Sequence, residues 1–448
     1  MRHLHQNLLF LKLLMVFRPS NKRRASLALG AAFVLAAGLF LVLPYAFATT
    51  YTSPAAVIEA TTTPPSKPVS SSAGMHVATP ASVKAIYMSQ CVAGTPSFRD
   101  SLSKLIETTD LNAVVIDIKD FSGGIAFPTD NPLLSPYVSK QCGARDMKAF
   151  IAGLHAKGIY VIGRISVFQD AAYAKQHPNQ AVQDRRGGVW KNHGGLPFVD
   201  VSAKPFWDYI VELSRVAYEE QGFDELNYDY IRYPSDGPVK EAVYQNANKP
   251  EALERFFQYL SAQVKPTGAV ISADLFGYVT VHTDDLGIGQ VLERALPYFD
   301  YIDPMVYPSH YNAGFAGLKN VNSDPYKVVQ VSLVEAVART LATSTVVETF
   351  AGTPIMETVT VPATATVATT TAQKFSGRYT KDVYPASKIR PWLQAFDYPV
   401  PYTSAMVQAQ IKATNDAGLT AYLMWDASNK YTALRRALTT EVTGGSGQ

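Results

Sequence analysis

The 448 residues contain only two cysteines, Cys91 and Cys142. They form no CxxC pair and no Cys/His spacing suited to structural zinc. An oxidising compartment permits a bond between them, and two separate free thiols are the alternative. The chain also lacks HExxH and EF-hand spacing. Asp284-Asp285 alone is a weak basis for calcium, so no metal and no cofactor is expected. No GxSxG elbow occurs, which disfavours esterase chemistry. No glycine-rich phosphate loop follows the first expected strand, and Gly287-Ile288-Gly289 does not meet the dinucleotide fingerprint. The net charge is +3, and much of the positive charge precedes residue 25. No basic patch interleaved with aromatics follows, so nucleic acid is not expected as a partner.

What the chain does hold is apolar and aromatic material, 47% and 11% of its residues, enough to bury a sizeable core. Residues 1–26 carry Arg18, Lys22, Arg23 and Arg24, and an uncharged run from Ser26 to Ala48 follows, close to a membrane span of about 20 residues. Ala46-Phe47-Ala48 has the small-x-small form of a cleavage site. The segment 27–48 is therefore expected to be a signal anchor or a cleaved signal peptide. The run's length favours the anchor, with residues 1–26 cytoplasmic and the rest extracytoplasmic. Residues 49–80, rich in Thr, Ser, Pro and Ala, read as an extended disordered linker.

From Val83 the pattern alternates. Expected strands are Val83–Ser89, Ala113–Asp120, Ile159–Phe168, Phe223–Tyr233, Ala269–Tyr278, Tyr301–Tyr307, Ile389–Tyr398 and Thr420–Ala427. Expected helices are Phe98–Thr108, Asp146–Lys157, Pro205–Gln221, Pro250–Val264, Gly289–Leu296, one within Pro325–Leu341, Ser404–Asp416 and Tyr431–Leu438. Eight strand–helix units over residues 81–440 predict an α/β fold, a single (β/α)8 barrel. A doubly wound sheet is the runner-up, less favoured because eight units in one series would make a very wide open sheet. A Thr-rich stretch at about 343–373 is expected to be an inserted surface loop.

In such a barrel the active site lies at the C-terminal strand ends. Here those ends are acidic: Asp117 and Asp120, Asp229, Asp274, Asp303, Asp397 and Asp426. On the fourth strand Glu225, Asn227 and Asp229 share one face, which is costly to bury unless paired or used. Alternation likewise puts Asp117 with Lys119, and Ser272 and Asp274 with Phe276. Glycoside hydrolysis needs two carboxyl groups, one protonated and one ionised. Asp229 is the expected ionised residue, with Lys119 and Arg232 as candidates to hold its charge and an outward-pointing, packing Arg232 as the alternative. Asp274, among Ala273, Leu275 and Phe276, is the expected general acid/base, with Asp303 and Asp117 as rivals. Expected substrate-binding residues are Asp117, Lys119, Arg164, Trp190, His193, Asp303, Tyr307, Trp392, Gln394 and Trp425. Trp190 and His193 lie in a glycine-flanked loop suited to sugar stacking and hydrogen bonding.

Seven ordered motifs carry a resemblance: VVIDIKDFSGG (114–124), YVIGRISVFQ (160–169), GFDELNYDYIRYP (222–234), Asp274–Tyr278, DPMVY (303–307), RPWLQ (390–394) and WDASNKYT (425–432). Together they resemble the bacterial glycoside hydrolase domain family of the DUF4015 type, over about residues 83–438. The resemblance implies an exported (β/α)8 barrel akin to α-amylase-like and α-galactosidase-like barrels. It also implies a fourth-strand nucleophile, Asp229 here, and an acid/base on strand five or six, which leaves Asp274 and Asp303 both open. Ala395 stands where the family pattern commonly has an acid, which removes support for a seventh-strand role. The expected function is hydrolysis of a cell-envelope or extracellular polysaccharide, with a membrane contact through the N-terminal segment. The alternative is a catalytically silent carbohydrate-binding or envelope-organising barrel.

Overall fold

A computed structural model describes residues 74–347, 352–361 and 370–443. The expected basic segment, the anchor or signal at 27–48 and most of the linker lie outside the described residues. Among the described residues no helix is long and apolar enough to cross a membrane.

Eight parallel strands close into a barrel. They are β1 (Lys84–Met88), β2 (Ala113–Lys119), β3 (Tyr160–Ser166), β4 (Glu225–Asp229), β5 (Val270–Phe276), β6 (Tyr301–Met305), β7 (Trp392–Gln394) and β8 (Tyr422–Trp425). Each strand pairs with its sequence neighbour, and β8 closes on β1. The alternating helices are α1 (Pro96–Glu107), α2 (Met147–His155), α3 (Lys204–Val216), α4 (Lys249–Val264), α5 (Leu292–Ala295), α6 (Pro325–Leu341), α7 (Ser404–Asp416) and α8 (Thr432–Thr443). Every residue of β2 and β3 is buried, as expected for a parallel sheet covered on both faces. Outward residues such as Leu226 and Tyr228 join the large core under the helices, whereas Tyr87, Tyr160 and Trp392 belong to a separate cluster. On β3 the fit is tight: a Cβ at Gly163 would come within 2.2 Å of Ile118 Cδ1.

Three elements depart from expectation. Helix α5 is a single turn rather than Gly289–Leu296, because Gly289 is left-handed with φ 85°. Strand β7 is three residues long; Pro391, just before it, has no N–H to donate to a ladder. The Thr-rich stretch is not simply a loop. Pro354–Val361 pairs antiparallel with Thr370–Thr380, and Tyr379 and Thr380 pair back to Ser344–Thr345. Its β-branched Thr and Val residues favour this extended form.

At the C-terminal strand ends, Cys91 in a helical turn after β1 is bonded to Cys142 in the loop between β2 and α2. The Cα atoms are 4.4 Å apart and the link spans 51 residues. Closing a loop of that size removes unfolded-state freedom worth about 4 kcal/mol. A Cys91→Ser/Cys142→Ser variant is therefore expected to lose about 2–4 kcal/mol of stability, read from its urea midpoint. An unchanged midpoint would contradict a structural role for the bond.

Candidate active site

The barrel turns Glu225, Asn227 and Asp229 inward, and their neighbours in register complete the interior. Asn227 stands beside Arg164 and Ser272, Asp229 beside Ser166, and Asp274 beside Asp303. Two arginines divide this interior into an upper and a lower group.

Arg164, from β3, holds the upper group. Its Nη1 donates to Asp117 Oδ1 at 2.6 Å, its Nη2 to Asp229 Oδ2, and its Nε to the same oxygen at 3.2 Å. The guanidinium carbon lies 5.0 Å from the Trp425 ring centre and 5.7 Å from that of Tyr87, two rings stacked at 4.0 Å. Burial opposes the Arg164 charge, but Asp229 and Asp117 outweigh it and hold its pKa well above the ordinary value. The Tyr87 hydroxyl donates to Asp117 Oδ2 at 2.5 Å. Burial raises the Asp117 carboxyl despite Arg164 and Tyr87.

Asp274 lies next to this group without a full ion pair. Its Oδ2 is 4.0 Å from Arg164 Nε, and its Oδ1 accepts from Trp392 Nε1 at 2.7 Å and Asn227 Nδ2 at 2.8 Å. Burial is the main reason that its pKa is pushed well up, and the charges of Asp229 and Asp303 add to it. Because Asp229 Oδ2 and Asp274 Oδ2 lie 3.2 and 4.0 Å from one nitrogen, their separation has an upper limit of 7.2 Å. The pair is therefore no farther apart than the widest carboxyl spacing used in glycoside hydrolysis, about 9.5 Å.

Arg390 holds the lower group. It reaches both Glu225 oxygens, and its Nη2 donates to Asp303 Oδ2 at 2.8 Å and its Nε to Asp303 Oδ1 at 3.0 Å. All three side chains are fully covered. Burial brings Asp303 up to about 6 against the pull of Arg390. Asp303 thus sits in a closed ion-pair network.

Asp229 ends β4, and Tyr230 takes a left-handed φ of 51° directly after it. That turn lets Tyr230 N donate to Asp229 Oδ1 at 2.5 Å. Non-glycine residues in this region are strained and cluster at functional sites.

The family model described as "Putative glycosyl hydrolase domain" (DUF4015) matches residues 85–353 and 350–431. The chain belongs to this family. The PgaB (BpsB) glycoside hydrolase domain of Bordetella bronchiseptica is 12% identical, with a TM-score of 0.51 over 80% of this chain and 98% of that one. At that identity the likeness is one of fold. A hypothetical protein of Ruminiclostridium thermocellum is 28% identical over 45% of this chain and 98% of its own, with a TM-score of 0.39. No curated protein matches the chain.

Within this family member, Asp117, Arg164, Asp229, Asp274, Trp392 and Trp425 come together at the upper end of the barrel. Tyr307 adjoins them: burial first, then the charges of Asp274 and Asp229, raise its pKa. The other expected site residues lie elsewhere. A register shift between Asp117 and Lys119 breaks the alternation, so Lys119 does not share the Asp117 face. Its Nζ instead donates to Asp170 Oδ2 at 2.8 Å and to the Ser166 carbonyl. Trp190 is fully buried, packed against Phe198 and donating Nε1–H to the Pro238 carbonyl, so its faces are not open to a sugar. His193 is exposed, and no hydrogen bond ties it to the carboxylates among the described residues. Gln394 is committed to Ser309 N and to the Phe396 and Tyr398 carbonyls, and so shapes the loop after β7. Arg390 was visible within RPWLQ, but its partner Glu225 is 165 residues away and nothing local marks the pair.

Two stability predictions follow from this charge arrangement. A carboxyl whose folded pKa is raised stabilises the fold at acid pH, and that contribution is lost as pH rises through its folded pKa. Asp274→Asn is therefore expected to match the wild type near pH 4 and to become the more stable of the two as pH increases. Urea midpoints at pH 4 and pH 8 check this; a gap that closes with pH would contradict the raised pKa. Arg390→Met would leave Glu225 and Asp303 buried without a counter-charge, at a cost of about 3–5 kcal/mol, measured in the same way.

Proposed function

We propose that this family member hydrolyses glycosidic bonds of an extracellular or cell-envelope polysaccharide, with Asp229 and Asp274 as its two carboxyl groups. The observation that carries the reading is their unequal environment. One guanidinium binds Asp229 through two nitrogens, while Asp274 is buried beside it with a raised pKa. A buried carboxyl that holds its proton, beside a carboxylate bound to a cation, is what acid/base hydrolysis requires. Asp274 gives its proton to the leaving glycosidic oxygen. Asp229 takes the ionised role, attacking the sugar carbon or activating a water. Trp425, half-buried and backed by Tyr87, supplies aromatic surface at the same end of the barrel.

An extracytoplasmic location is part of the proposal. The Cys91–Cys142 bond supports it, since such bonds persist in oxidising compartments. So does the apolar run at 26–48, which would serve as anchor or signal.

One observation favours the silent carbohydrate-binding barrel. Asp229 and Asp274 are only 6% and 1% exposed, so little of either carboxyl is open to a substrate. Release of reducing sugar from a panel of polysaccharides separates the two readings. We expect wild-type activity on at least one polymer. Asp274→Asn should lower turnover about 10²–10⁴-fold, and Asp229→Asn should abolish it while polymer binding persists. A wild type that binds a polymer and releases no reducing end from any would leave the silent barrel as the better account.

A further inference from the structure

Arg232 follows the strand-end acid Asp229 by three residues and is only 7% exposed. Buried arginines elsewhere in the interior are paired: Arg164 with Asp117 and Asp229, Arg390 with Glu225 and Asp303. Arg232 has no carboxylate partner among the described residues. Its only hydrogen bond there runs from Nη1 to the Tyr233 carbonyl at 3.0 Å. Three rings wall the guanidinium instead, with centres 4.7 Å away for Phe276, 4.9 Å for Tyr230 and 5.7 Å for Phe198. Burial lowers its pKa, against opposing effects from Tyr230, Asp229 and Asp236.

Its position relative to the two carboxyl groups follows from strand geometry. Residues two apart on a strand share a face, so Phe276 sits directly above Asp274 on the inner face of β5. A guanidinium against the Phe276 ring therefore lies over the Asp274 level and on the Asp229 side of the mouth. Tyr230 and Phe276 are only half-buried, so this place is at the entrance rather than in the sealed interior.

We propose that Arg232 is a specificity residue that binds the carboxylate of an acidic sugar, a uronic acid unit of the polymer, beside the bond to be cleaved. This deepens the hydrolase reading and rests on it. A desolvated cation without a counter-ion is costly, and an incoming anion removes the cost. The planar fork matches a carboxylate through two parallel N–H bonds. Charge balance selects a monoanion. Asp117 and Asp229 already share Arg164, so a single positive group is left for the ligand. A doubly charged phosphate would add excess negative charge next to Asp229.

The test compares d-glucuronate and d-galacturonate with d-glucose, d-galactose and glucose 6-phosphate as probes, titrated into the folded protein and followed by NMR. We expect the uronates to bind at least tenfold more tightly than their neutral counterparts, equivalent to about 1.4 kcal/mol. The preference should weaken with salt, fall to near unity in Arg232→Gln, and survive in part in Arg232→Lys. Equal binding of neutral sugars, tighter binding of glucose 6-phosphate, absence of uronate binding, or a preference that persists in Arg232→Gln would each overturn the proposal. If Arg232→Gln does not fold, the wild-type preference and its salt dependence still decide. Reducing-sugar release keeps the two readings apart. Hydrolysis of neutral polymers in preference to acidic ones would sink the uronate proposal and leave the hydrolase standing. Uronate binding without hydrolysis of any polymer would overturn the hydrolase, and with it Arg232's place beside a bond to be cleaved, leaving only a uronate-binding site.

Discussion

The interior of this barrel holds more carboxylates than cations, and most of its chemistry follows from that imbalance. Asp117, Glu225, Asp229, Asp274 and Asp303 are all buried within it, and Arg164 and Arg390 are the cations that pair with them. Burying a charge without a partner is costly enough that a group takes up a proton instead. The deficit is not shared evenly. Arg390 closes the floor through four contacts to Glu225 and Asp303, and Arg164 is engaged above by Asp117 and Asp229. Asp274 is left between the two, within 4.0 Å of one cation but held mainly by neutral donors. Its proton is therefore set by the whole barrel rather than by one neighbour.

The neutral donors matter to how that proton is used. Trp392 Nε1–H and Asn227 Nδ2–H both point to Oδ1 of Asp274, leaving Oδ2 on the Arg164 side. Two N–H donors on one oxygen make the other the natural place for the proton. Asp229 Oδ2 shares the same guanidinium nitrogen. Asn227 is shared further, lying 3.1 Å from both Asp303 Oδ2 and Ser272 Oγ. The upper and lower groups are thus joined through one amide, and a change of charge at Asp303 reaches Asp274 through it.

Much of this was legible from the chain, and the exceptions have physical causes. Eight apolar strand runs and their helices identify the barrel because a parallel sheet buried on both faces leaves continuous hydrophobic runs. Strand-end acids mark the mouth because strand alternation decides which side chains turn inward. The same alternation misplaced Lys119, since a one-residue irregularity after Asp117 reverses every side chain beyond it. Trp190 and Gln394 were assigned by residue type, and their roles are decided by partners that no local pattern names: the Pro238 carbonyl, and a tight turn after β7. The Thr-rich segment looked like low complexity, but β-branched residues in register across a hairpin need little sequence variety to pair.

Arginine spacing was the least informative of the early signals. Arg232, three residues from Asp229, reads by sequence as either its support or an outward packing residue; Arg164, on the neighbouring strand and 65 residues earlier, makes the contact. Residues three apart on a strand face opposite ways, so that spacing does not bring Arg232 to Asp229. A left-handed turn at Tyr230 also ends the strand immediately after Asp229. The same turn places Arg232 among the Phe276, Tyr230 and Phe198 rings. Arg164 thus neutralises Asp229, while Arg232 is left among the rings. That division of labour gives the mouth a buried cation that no carboxylate pairs among the described residues.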